Sequence, residues 1–103
     1  MMKECCKKYL DDQFGGDADI VAEIYNEYVS SVGVKIGEAE SALAASDWTK
    51  LDRTAHTIKG NALAAGDQEM ADTAISLRKS AALSDAALSA TLLGKIKELS
   101  KVL

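Results

Sequence analysis

Apolar residues recur along this chain at steps of three and four, and the pattern breaks at a few sites rich in Gly, Ser and Asp. Ile20, Ile24, Tyr28, Val32, Ile36, Ala39 and Leu43 lie on one such stripe, with the spacing of a single helix face. Gly33 and Gly37 fall inside it, at a cost of about 1 kcal/mol each against Ala. The stripe keeps its phase through both, which predicts one long helix from Asp19 in which the glycines mark a bend or a close helix contact. A shorter helix over Lys3 to Gln13 precedes it. Phe14-Gly15-Gly16-Asp17 separates the two, supplying a C-cap and then an N-cap. Ser46-Asp47 opens a third helix, with Trp48, Leu51, Ala55, Ile58 and Ala62 inward. Gly66 suits a left-handed C-cap, and Asp67 caps a fourth helix carrying Met70, Ala74, Leu77 and Ala81 inward. Ser84-Asp85 opens a fifth, with Leu88, Leu92, Ile96, Leu99 and Leu103 at helical steps. Short links between long helices favour antiparallel neighbours. The expected fold is all-α, an antiparallel up-down-up-down four-helix bundle with a short additional N-terminal helix.

Composition agrees with that pattern. The 103 residues include seventeen Ala, five aromatic residues and no Pro, as a helical bundle favours. The length suits a single domain over residues 1–103, able to bury a core without a metal or disulfide staple. Cys5 and Cys6 are adjacent, which disfavours an unstrained bridge and is too few ligands for a zinc site. One is expected to pack inward and the other to face solvent. The net charge of −4 argues against nucleic acid as a partner. No apolar run nears the roughly 20 residues that span a bilayer, and no leader pattern is present. A cytoplasmic domain with no membrane partner is therefore expected. Charge is uneven: residues 11–47 carry −8 and residues 48–103 carry +2. The basic bias falls on the half that holds the only histidine, although random scatter of solvated charge accounts for it equally well.

That histidine lies in Ala55-His56-Thr57-Ile58-Lys59-Gly60. Ala55 and Ile58 are on the apolar stripe, so His56 stands about 100° away, at the rim of the buried face. Lys59 and Gly60 are its i+3 and i+4 neighbours and share its strip of surface. A neutral imidazole keeps one nitrogen lone pair, which is what a nucleophile needs near pH 7. A mid-helix Gly costs nearly 1 kcal/mol, and here it leaves open space one turn from the ring. Lys59 supplies positive charge for a dianion carried on that ring. Together these describe a phosphoryl acceptor docked by another protein. Spacing alone leaves plainer readings standing: a packed polar His, a solvated Lys, and a Gly that permits close helix packing.

At these residues the sequence resembles the histidine-containing phosphotransfer (HPt) family. The family motif is a histidine, two residues, then Lys-Gly, usually within Ala-His-Ser/Thr-hydrophobic-Lys-Gly-small. Residues 55–60 fit it, with Asn61 where Ser or Ala is commoner. Gly66, ten positions after the histidine, Asp47-Trp48 ahead of the histidine helix, and Phe14-Gly15-Gly16-Asp17 before the first long helix are also similar to the family pattern. The resemblance implies a phosphorelay intermediary. In it His56 is the phosphoacceptor, taking the phosphoryl group from a receiver-domain aspartate through the ring nitrogen distal to the backbone and passing it to another receiver. Lys59 would steady the phosphoryl group, and Gly60 would give the partner room. Partners would be response-regulator receiver domains and a hybrid or sensor histidine kinase. Mg²⁺ would sit on the receiver, so this chain is expected to hold no metal or cofactor of its own and to act as a monomer.

One position departs from the pattern. Where many HPt domains carry Gln or Glu, twenty-two positions after the histidine, this chain has Arg78, followed by Lys79. Arg cannot accept a hydrogen bond from a ring N–H. Either the ring is oriented by something else, or Arg78 is a second contact for the phosphoryl group; a solvated Arg is the plain alternative. No Gly-rich phosphate loop is present, so kinase activity is not expected. Two other origins remain open from sequence: a phosphoacceptor domain of a larger chemotaxis-type or hybrid kinase, and a helical bundle that only binds partners. Thr57 after the histidine and the lack of Pro argue against the dimerising helices of ordinary sensor kinases.

Overall fold

Every helix but the first opens on an aspartate. The computed structural model describes residues 2–103 and contains α1 (Glu4–Gln13), α2 (Ala18–Ala44), α3 (Trp48–Ala64), α4 (Gln68–Ala82) and α5 (Ala86–Ser100). Asp17, Asp47, Asp67 and Asp85 accept hydrogen bonds from backbone N–H groups of the turns they begin. Such a cap is worth about 1 kcal/mol over Ala. The helix starts follow the sequence reading to within a residue, whereas α5 ends at Ser100, short of the Leu103 to which its apolar stripe extends; no strand occurs among the described residues.

The last three connections are one turn used three times. Ala45-Ser46-Asp47, Ala65-Gly66-Asp67 and Leu83-Ser84-Asp85 each place an αR residue, then a residue of positive φ, then the capping Asp. In each, the Asp N–H reaches back to a carbonyl five residues earlier (Ala42, Ala62 and Ser80) at 2.8–3.0 Å, closing the preceding helix as the next begins. Ser46 and Ser84 adopt φ of 53° and 52°, a conformation that costs a non-glycine residue about 1–2 kcal/mol. The middle turn has Gly66, and here no side chain fits: a Cβ would overlap the side chain of Tyr9 on α1.

α2 packs against α3 and α5, and α4 against the same two, so α2 to α5 close a ring around one core. α1 lies on α2 and sends Cys6 and Leu10, both fully buried, into that core, while Cys5 stays exposed as expected. The body measures 42 × 20 × 18 Å. No helix among the described residues is long and apolar enough to cross a membrane.

The buried stripes of α3 and α4 follow the sequence reading. Those of α2 and α5 differ at their ends. In α2 the buried face begins at Val21 and Tyr25, with Ile20 exposed, and finishes at Ala42, with Leu43 half-buried. In α5 Ser89 and Leu93 point inward while Leu88 is exposed. A 3.6-residue turn drifts across strict four-residue steps, and polar anchors fix the phase. Ser89 is inward because its hydroxyl meets that of buried Ser80 at 2.7 Å. Gly33 and Gly37 mark no close helix contact: both face solvent, with open space where a Cβ would stand.

Candidate functional site

α3 presents His56 to solvent because its neighbours Ala55 and Ile58 are fully buried. Gly60, one turn on, is exposed, and a Cβ built there meets nothing within 4 Å. Close helix packing therefore does not account for this glycine. Lys59 is half-buried and has no carboxylate within ion-pair distance among the described residues. Asn61, the unusual residue after the Lys-Gly pair, donates to Ser31 Oγ at 2.6 Å and ties α3 to α2.

Arg78 crosses from α4 to this strip. Its Nε donates to Asp52 Oδ1 at 2.9 Å, and its Nη1 lies 3.0 Å from His56 Nδ1. Guanidinium has no acceptor, so in this contact Nδ1 must be the acceptor. The planar fork thus grips two α3 residues one helical turn apart, which a flexible ammonium would do less well. Arg78 is therefore not merely solvated: it contacts the ring, through a hydrogen bond opposite in sense to the one Gln or Glu would accept. Asp52 escaped the sequence reading. Its signal was its place four residues before His56, on the same strip of helix.

Asp52, Lys59, Ile75, Arg78, Lys79 and Ala82 line an open groove of about 430 Å³ beside this cluster. Three of the six carry positive charge and one negative. Such a groove favours an anion, and its openness suits one brought by another protein rather than a ligand enclosed by this one. No three of His, Cys, Asp and Glu come together to hold a metal ion among the described residues.

A histidine borne on a surface helix, with cations about it, within a ring of four helices defines a class of phosphotransfer scaffold. The pattern that defines the Hpt domain family matches residues 23–102, from early α2 to the end of the last helix, and the chain belongs to that family. No curated protein and no solved structure was found to match the chain. At the level of the family, the function is histidine phosphotransfer in phosphorelays, with receiver domains and kinases as partners.

Proposed function

We propose that this chain, as one domain, is a phosphocarrier in which His56 takes a phosphoryl group from one receiver domain and gives it to another. The observation that carries the reading is an exposed His56 and open space at Gly60 on the strip of α3 beside the groove that the Lys59 and Arg78 cations line. In the forward step the Nε2 lone pair forms an N–P bond with the receiver's aspartyl phosphate. The P–O bond to that aspartate breaks, and its electron pair remains on the carboxylate. Transfer to the second receiver runs the same exchange in reverse. The reaction rests on positioning and charge stabilisation. Lys59, which has no carboxylate partner among the described residues, meets the phosphoryl charge from this side, while Mg²⁺ acts from the receiver.

The reading makes the chain a carrier and not a kinase, working as a cytoplasmic monomer. The three matching three-residue turns and the closed ring of contacts support an up-down-up-down course for the four long helices. The test is incubation with a phosphorylated receiver domain and Mg²⁺, followed by an assay for acid-labile phosphate on this chain. Label is expected on the wild type and absent from His56→Gln. Label that persists in the variant places the acceptor elsewhere and ends the assignment. A Gly60→Leu variant is expected to fold and to accept phosphate more slowly, because the side chain fills the partner's approach.

A further inference from the structure

The contact between Arg78 and His56 has a chemical consequence for that reading, on which the following rests. A neutral imidazole carries one N–H and one lone pair. Arg78 stays protonated and can only donate, so at 3.0 Å it engages the lone pair of Nδ1. The ring proton is then on Nε2. That is the nitrogen assigned above to attack phosphorus, and as an N–H it has no lone pair to attack with. In the geometry seen here neither ring nitrogen is a free nucleophile.

We propose that Arg78 is a positioning residue that holds His56 in its unreactive tautomer, and that the incoming phosphoryl group releases the ring by drawing the guanidinium away from Nδ1. Asp52 makes the resting grip definite, since it binds Nε of the same fork at 2.9 Å and fixes the plane from which Nη1 reaches the ring. The grip is also poised to be lost. Arg78 and Asp52 side chains are 37% and 42% exposed, so the guanidinium can move without unpacking the core. It already lines the groove that Lys59 and Lys79 make positive. A phosphoryl dianion accepts two charge-assisted hydrogen bonds from such a fork, whereas Nδ1 offers one neutral lone pair. Once Arg78 departs, the Nε2 proton passes to water and Nδ1 takes one from water, with no change in net charge. Asp52, four residues before His56 on α3, is then the acceptor within reach of the new Nδ1–H. A protected acceptor of this kind reacts with a partner-borne phosphoryl group and stays inert otherwise.

The experiment is a two-bond ¹H–¹⁵N correlation of the His56 ring in the unphosphorylated protein, at a pH where the ring is neutral. The chain has no other histidine, so assignment is direct. In the wild type, Nδ1 is expected to show the shift of an acceptor nitrogen and Nε2 that of an N–H. The ratio of Nε2–H to Nδ1–H tautomer should exceed that of Arg78→Ala by about tenfold, the weight of one modest charge-assisted hydrogen bond. In Arg78→Gln the amide oxygen can accept from Nδ1–H, so that form should become the major one. Asp52→Asn should fall between wild type and Arg78→Ala. A helix that merely lost packing would not reorder the ring in this sequence. Equal ratios in wild type and Arg78→Ala overturn the proposal even where the relay assay succeeds. A relay assay with no label on His56 overturns the function while leaving the tautomer result readable, so the two failures are distinguishable.

Discussion

Two clusters in this molecule use the same parts, a carboxylate, a cation and a third polar group, and differ in burial. At the α3–α4 turn, Asp67 is fully buried and accepts from Lys3 Nζ at 2.9 Å, Tyr28 OH at 2.7 Å and the Met70 N–H at 3.4 Å. Eleven residues further along α4, roughly 16 Å away by helical rise, Asp52, Arg78 and His56 form the second cluster at the surface. In the first, both carboxylate oxygens are occupied and Asp67 is shut away from water, with only Lys3 partly exposed at the edge. Tyr25 extends it, accepting from the Lys3 backbone N–H at 3.1 Å and donating to the Leu103 carbonyl at 2.7 Å, so both ends of the described chain are fastened there. In the second, each member is solvated and can change partners. Burial turns the first into a clasp and leaves the second free to act.

Breaking the clasp gives the largest expected effect. Asp67→Ala removes the α4 cap and leaves the Tyr28 hydroxyl buried without its partner and Lys3 without its carboxylate. Losing one member of a buried ion pair costs about 3–5 kcal/mol. For a domain of this size that lowers the melting temperature by at least about 10 °C. Thermal and urea unfolding check it; a loss under about 1 kcal/mol would mean that burial does not separate the two clusters.

The clasp also sets a pH response. Four groups around Asp67 have displaced pKa values, all upward. Burial first, then the neighbouring Cys5 and Asp67, pushes the Cys6 thiol from its ordinary 9.0 up to about 12. Burial and Asp67 raise Tyr28, and burial is the main cause of the rise at Tyr25. Lys3 is raised because the hydrogen bond and charge of Asp67 outweigh the desolvation that opposes them. In each case the folded chain holds a proton that the unfolded chain has lost, so stability is full below about pH 9 and falls as pH rises. Between pH 9 and 10 the thiol is the first to contribute, at up to roughly 1.4 kcal/mol per pH unit. Unfolding free energies measured from pH 7 to 11 should decline above 9, and Cys6→Ala should postpone the decline towards 10. A wild-type profile flat to pH 11 would contradict the clasp as described.

The two clusters were also unequally legible in the sequence. The helices, their Asp caps and the His56-Lys59-Gly60 strip follow from spacing, because a helix places residues three and four apart side by side. Asp67 was visible as a cap, but its partners Lys3 and Tyr28 come from α1 and α2, and no local period brings them there. Arg78 was visible as a departure from the family pattern. Its direction was not, since a long side chain on α4 can reach solvent, phosphate or α3 equally well until the packing of α3 on α4 is known. The stripe ends at Ile20 and Leu88 were misplaced because periodicity marks a face without saying which edge of it the core takes. Buried Ser80 and Ser89 supplied that phase through a polar pair that a search for apolar residues passes over.

The smallest expected effect falls on the surface cluster and is the sharpest form of the comparison. An ion pair with side chains 37% and 42% exposed is screened by water and contributes little to stability. Asp52→Asn keeps the side-chain shape and removes the charge, and Arg78→Ala removes the cation and leaves a carboxylate that water can solvate. Asp52→Asn should alter the unfolding free energy by about 0.5 kcal/mol or less, and Arg78→Ala, which also gives up the hydrogen bond to His56, by no more than about 1.5 kcal/mol. The double variant should differ from the sum of the singles by no more than about 1 kcal/mol, the usual ceiling for an exposed pair. Urea unfolding of the four proteins at moderate salt measures both quantities. A loss of several kcal/mol in either single variant would make Asp52 and Arg78 a second clasp, too firmly held for the guanidinium to leave His56 when a phosphoryl group arrives.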